Sequence, residues 1–93
     1  MKDKSLKAVA LRYQRGIDSA PRVTAKGAGI LAERILALAR DYKVPIQKDT
    51  ALIEALYRLE INEAIPEELY QVIAEILAFV YRMNRIKTGV NKA

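Results

Sequence analysis

The side chains able to do chemistry in this chain are few in kind. There is no Cys, no His and no Trp. Serine occurs only as Ser5 and Ser19. These absences exclude disulfides, thiolate nucleophiles, the usual zinc and haem sites and every mechanism that needs an imidazole base. What remains is Asp, Glu, Lys, Arg, Tyr, Ser and Thr, a repertoire that points away from an enzyme and implies no cofactor and no metal.

Three constellations stand out. Gly27-x-Gly29-x-x-Ala32 lies between an expected strand and an expected helix, with Asp49 about twenty residues further on. That is the outline of a dinucleotide-binding turn, in which glycines admit a pyrophosphate and an acid holds a ribose. The alternative is that the glycines let the helix pack closely and Asp49 caps the next helix. A full dinucleotide site needs two mononucleotide halves, and 93 residues supply barely one. The carboxylate pairs Glu60/Glu63 and Glu67/Glu68 form the second constellation. Acids near helix ends are expected for dipole reasons, without any acid–base role. The third is the basic set Lys7, Arg12, Arg15, Arg22 and Lys26, with Tyr13 among them. It suits a small basic nucleic-acid-binding module, or simply solvates the strand ends.

Charge is segregated along the chain. The formal net charge is +5. Residues 1–26 and 82–93 are basic, and residues 27–81 are mildly acidic. Such ends meet nucleic acid, anionic membrane surfaces or acidic partners, or simply solvate the protein. The chain is 52% hydrophobic and 29% charged, ordinary for one small globular domain. No apolar signal core precedes Lys7. The longest apolar stretch, Val72–Tyr81, is broken by Glu75 and falls short of the ~20 residues of a membrane span.

The elements that must position these residues follow from pattern. Ala8–Tyr13 alternates and reads as a strand, and Pro21–Lys26 as a second. Leu31, Ile35, Leu38 and Tyr42 recur at helical spacing and predict a helix over Ala28–Tyr42 with one apolar face, whose alanines add helix propensity and permit close packing on a sheet. Val44–Gln47 is short and β-branched and reads as a third strand, parallel to the second across a right-handed crossover. Asp49 or Thr50 caps a helix over Ala51–Leu59. Asn62 suits a left-handed position after it. Pro66, Glu67 and Glu68 open a last helix running to about Asn84. The expectation is a small single α/β domain, about three strands in a mixed sheet packed with three helices. A flexible N-terminus at 1–7 and a disordered basic tail at 85–93 flank a domain at 8–84.

These segments also resemble a known family. AVALRY at 8–13, APRVTAKG at 20–27, VPI at 44–46, ALYR at 55–58 and IPEELYQVIAEILAFVY at 65–81 occur in the order and spacing of the C-terminal cytoplasmic domain of the FlhB/YscU/SpaS export-switch family. The last segment favours the flagellar branch. The resemblance implies a small α/β domain at the cytoplasmic face of a type III export gate, normally following four transmembrane helices. The family cuts itself within an Asn-Pro-Thr-His loop by cyclisation of the Asn side chain, which permits the switch from rod and hook to filament substrates. Here the four positions before Lys7 are Asp3, Lys4, Ser5 and Leu6. Asp offers a poor nucleophile in place of the Asn amide, and no imidazole exists to assist. The resemblance therefore implies a non-enzymatic accessory protein of flagellar export, cytoplasmic or peripheral at the inner face of the export apparatus. Its expected partners are export gate proteins, a full-length or truncated FlhB-type protein, and export substrates, with no nucleic acid. Lys7, Arg12, Arg15, Arg22 and Lys26 are the expected protein-binding residues.

Overall fold

A computed structural model describes residues 6–14 and 16–79. The expectations for the two ends, including the helix end near Asn84 and the basic tail, lie outside the described residues.

Two strands build the sheet. β1 (Lys7–Arg12) and β2 (Arg22–Ala28) pair antiparallel, with Val9 opposite Lys26 and Ala10 opposite Ala25. The register then slips, so that Leu11 faces Val23 and Thr24 is the extra residue of a β-bulge. The slip matters for packing. Lys26 and Val23 are three residues apart and would point to opposite faces of a regular strand. The bulge lets Val23 share a face with Val9 and Leu11, and the Thr24 hydroxyl donates to the Ala10 carbonyl at 3.3 Å.

Each face carries a helical layer. On one side lies α1 (Ile30–Asp41), over the small residues Ala8 and Gly27. On the other lie α2 (Thr50–Tyr57) and α3 (residues 70–79), the latter entered through a 3-10 turn at Glu67–Leu69. Val23, Leu56, Leu59, Ile65 and Ile73 are the buried centre of this second layer, and Val9, Leu11, Leu52, Leu69, Val72 and Leu77 pack around them. Asp49 caps α2 as expected, its carboxylate accepting from the Leu52 N–H at 3.0 Å. Asn62 takes the left-handed conformation at φ 75°.

One expectation is corrected. Val44–Gln47 is not a strand, and among the described residues the sheet has two strands, with no parallel pair. The outer edge of β2 is taken by residues 62–65 instead. Val23 N–H donates to the Glu63 carbonyl at 3.0 Å, Asn62 N–H to the Val23 carbonyl at 2.7 Å, and Ile65 N–H to the Pro21 carbonyl at 2.9 Å. With that edge occupied, Val44 and Ile46 keep β-branched propensity but have no ladder to join there. The large apolar residues of α1 are not its core face: Leu31, Leu38 and Tyr42 are 59%, 55% and 78% exposed, while Ala32 is fully buried. The sheet takes the alanine side because only small residues let a helix approach Ala8 and Gly27 closely.

Gly27 and Gly29 are explained by this junction. A Cβ on Gly27 would stand 2.6 Å from the Leu31 Cβ. Gly29 turns the chain into α1 at φ 59°, a conformation that favours glycine. The pair serves close packing and a tight turn. Without a parallel strand–helix–strand unit among the described residues, and with Asp49 spent on a helix cap, the dinucleotide outline has no supporting geometry.

Candidate protein-binding surfaces

The expected basic residues fall into three separate settings. Lys7 and Lys26 are brought together, because they are diagonal neighbours on one face of the β1–β2 pair. Both ammonium groups lie over the ring of Tyr57, at 5.2 and 5.3 Å from its centroid. Lys7 also pairs with both oxygens of Glu54 at 2.9 Å, and Lys26 donates to the Tyr57 carbonyl at 3.1 Å. The two lysines thereby tie the sheet to the C-terminal end of α2. Arg12 binds Asp18 through two nitrogens, at 3.0 and 3.3 Å. Arg22 donates to the Asn62 carbonyl at 2.8 Å and holds the 62–65 segment on β2. Arg15 lies outside the described residues. These side chains are engaged within the protein and do not merge into one bare cationic face.

Arg12 and Asp18 close the loop between the strands. The Asp18 carboxylate also accepts the Gln14 N–H at 2.8 Å and its side chain is only 5% exposed. The Arg12 guanidinium, followed by the Gln14 N–H, holds the Asp18 carboxyl below its ordinary value of 3.8. A carboxyl depressed in the folded state stabilises it above its unfolded pKa, and that contribution is lost as pH falls through the folded pKa. The stability advantage of the wild type over Asp18→Asn is therefore expected to be constant at neutral pH and to shrink below about pH 4. Urea midpoints of both proteins at pH 6 and pH 3 check this. An advantage that is unchanged at low pH rules the clamp out.

The loop so closed forms one wall of a groove of about 320 Å³. Tyr13, Ala20 and Pro21 stand on the loop side, and Tyr70, Ala74, Leu77 and Ala78 on α3. The buried Ile65 and Ile73 line its depth. It is predominantly apolar, the usual character of a site that receives an apolar side chain. Sequence reasoning missed it. The available signal was Ala74 and Ala78, small residues one turn apart beside the core positions of α3, where room is left on a packed helix. The other exposed feature is the outer edge of β1. The Gly29 N–H donates to the Leu6 carbonyl at 2.8 Å, which makes that a hydrogen-bonded pair. Alternation makes Ala8–Gly27 and Ala10–Ala25 bonded pairs as well, and turns the N–H and C=O of Lys7 and Val9 outward. Among the described residues no strand pairs with that edge. Nor do they contain a cluster of acids suited to a metal, or a helix long and apolar enough to cross a membrane.

The domain is thus a sheet with a helical layer on each face, an open strand edge and an apolar groove, and its relatives are found among export proteins. The family described as FlhB HrpN YscU SpaS matches residues 7–80, and the chain belongs to it. The chain is 45% identical to YlqH of Bacillus subtilis over 78 residues, covering 84% of each protein. It is 44% identical to the flagellar biosynthetic protein FlhB of Salmonella typhimurium over 79 residues, which are 84% of this chain and 21% of that protein. The chain thus spans about a fifth of the FlhB proteins it matches. Among solved structures, the cytoplasmic domain of FlhB from Shewanella putrefaciens superposes with a TM-score of 0.82 at 32% identity, covering 89% of this chain and 69% of that one. The described fold is that of the family's C-terminal cytoplasmic domain, and family membership places the chain with flagellar and type III export.

Proposed function

We propose that this chain is a non-enzymatic component of flagellar type III export that binds at the export gate as a stand-in for, or competitor of, the cleaved C-terminal domain of a full-length FlhB-type protein. The observation that carries this reading is a C-terminal-domain fold of the family whose β1 edge has no strand partner among the described residues. A segment of the membrane-bound partner adds to that edge, with the outward groups of Lys7 and Val9 making its main-chain hydrogen bonds. The residues at the position of the self-cleavage loop, Asp3-Lys4-Ser5-Leu6, supply neither the Asn amide nor a His, so the chain performs no self-cleavage. The protein acts at the cytoplasmic face of the export apparatus.

Co-purification with a membrane-bound FlhB-type protein truncated after its Asn tests the reading. Retention of that partner, and restored motility when this chain is expressed in the truncated strain, are expected. A pull-down that holds neither gate proteins nor export substrates overturns it.

The apolar groove supports the substrate-binding part of the reading. Its size suits one or two apolar side chains of an export substrate docking as a short segment. Ala74→Phe fills it from the exposed side of α3 and is expected to weaken substrate capture about tenfold while the melting temperature stays within a few degrees. Unchanged capture by that variant excludes the groove.

A further inference from the structure

Six of the ten large apolar residues exposed among the described residues lie in one stretch: Ile30, Leu31, Leu38, Tyr42, Val44 and Ile46. Three of them form a ridge on α1. Leu31, Leu38 and Tyr42, with half-buried Ile35 between, follow a 4-3-4 spacing. That is the spacing of a seam between two helices. The ridge lies roughly a quarter-turn away from Ala32 and Ala39, the side that the sheet covers. α1 therefore carries a second apolar face that its own domain covers only in part.

Charge on its flank says what fits it. Arg34 and Asp41 immediately precede Ile35 and Tyr42, so both lie along the same side of the seam. Both are exposed, and neither makes an ion pair with another described residue. When two identical helices meet antiparallel about a two-fold axis, flanks of the same side face each other. With the axis between Leu36 and Ala37, Leu31 of one copy layers on Tyr42 of the other, and Ile35 on Leu38. Arg34 of each copy then lies beside Asp41 of the other, and the symmetry makes this contact twice. A parallel pairing leaves Arg34 level with its own copy and gains nothing from these charges.

We propose that the α1 ridge is the seam of a reversible antiparallel homodimer of this chain. The interface is one helix and a short following segment, at the small end of specific interfaces, so the dimer dissociates on dilution. The reading stands independently of the export-gate partner, which uses the β1 edge on another part of the domain.

Sedimentation equilibrium of the full chain over a wide concentration range tests it. The wild type is expected to shift from monomer to dimer, and Leu38→Glu to stay monomeric with an unchanged far-ultraviolet circular dichroism spectrum. Arg34→Glu and Asp41→Lys each place like charges together twice and are expected to weaken the dimer about tenfold. The combined variant restores opposite charges and recovers the wild-type constant. A wild type that is monomeric at every concentration overturns the proposal. So do charge variants that leave the constant unchanged, or a combined variant no better than either single one.

Discussion

Replacing Gly27 by Val is expected to cost about 3 kcal/mol of folding stability, the upper part of the range for overpacking a tight contact. The added Cβ meets the Leu31 Cβ at 2.6 Å, and behind it the Leu31 carbonyl carbon at 3.2 Å and the Ala32 amide nitrogen at 3.3 Å. Two of these three atoms are backbone and cannot rotate aside. Relief requires α1 to lift from the sheet, which also uncovers Ala32 and Ala8, buried at present to 0% and 5% exposure. In a domain of this size the loss corresponds to a melting temperature roughly 10–20 °C lower. Thermal and urea unfolding of the wild type and Gly27→Val check the expectation. A change of under a degree or two means that α1 is not held against β2 as described. Addition of NAD or ATP should move neither curve; a ligand-dependent rise in the wild type alone would revive the nucleotide reading.

That contact also shows where pattern-reading succeeds and where it stops. The strands were legible, because Val9 and Leu11 alternate with small residues and Pro21 marks an entry. The α2 cap was legible, since Asp49 is followed three residues later by the N–H it accepts. These are local signals. The α1 stripe does not mark the buried side, because periodicity is dominated by the largest apolar residues, whereas the sheet selects the smallest. A surface of Ala8 and Gly27 admits Ala32, and Leu31, Leu38 and Tyr42 are displaced to the flank. Val44–Gln47 misled because strand propensity is local and pairing is not. The edge of β2 goes to residues 62–65, where Asn62 reads only as a left-handed residue after a helix.

The candidate sites divide the same way. Positions of the basic residues on or beside the strands were readable, but their partners were not. Nothing in the spacing of Lys7, Lys26 and Tyr57 announces that two ammonium groups share one ring, since the contacts span 50 and 31 positions in the chain. The apolar groove left only a local trace, Ala74 and Ala78 on α3, because its other wall is distant in the chain. It exists only where the Arg12–Asp18 clamp sets the loop of Tyr13, Ala20 and Pro21 against α3. The basic residues hold the loop, the 62–65 segment and the end of α2 in place.

Val9→Pro is expected to weaken binding of the strand-donating partner by tenfold or more while the domain stays folded. The Val9 N–H faces the open edge of β1, as the bonded pair of Leu6 and Gly29 dictates. Proline removes that donor and sets its ring in the path of an added strand, but takes no hydrogen bond from the β1–β2 ladder. The side chain of Val9 packs on the core cluster, so some stability is lost through packing alone. Val9→Ala separates the two effects, because it loses the same packing and keeps the outward N–H. The measurement is fluorescence anisotropy of a labelled peptide taken from the strand that precedes the cleavage loop of a full-length FlhB-type protein. Wild type and Val9→Ala should bind alike, and Val9→Pro at least tenfold more weakly. Equal binding by all three would mean that the partner docks elsewhere. Equal weakening by both variants would assign the effect to packing and leave the edge without a role. Only a split between them supports strand addition, because only the edge distinguishes a lost N–H from two lost methyls.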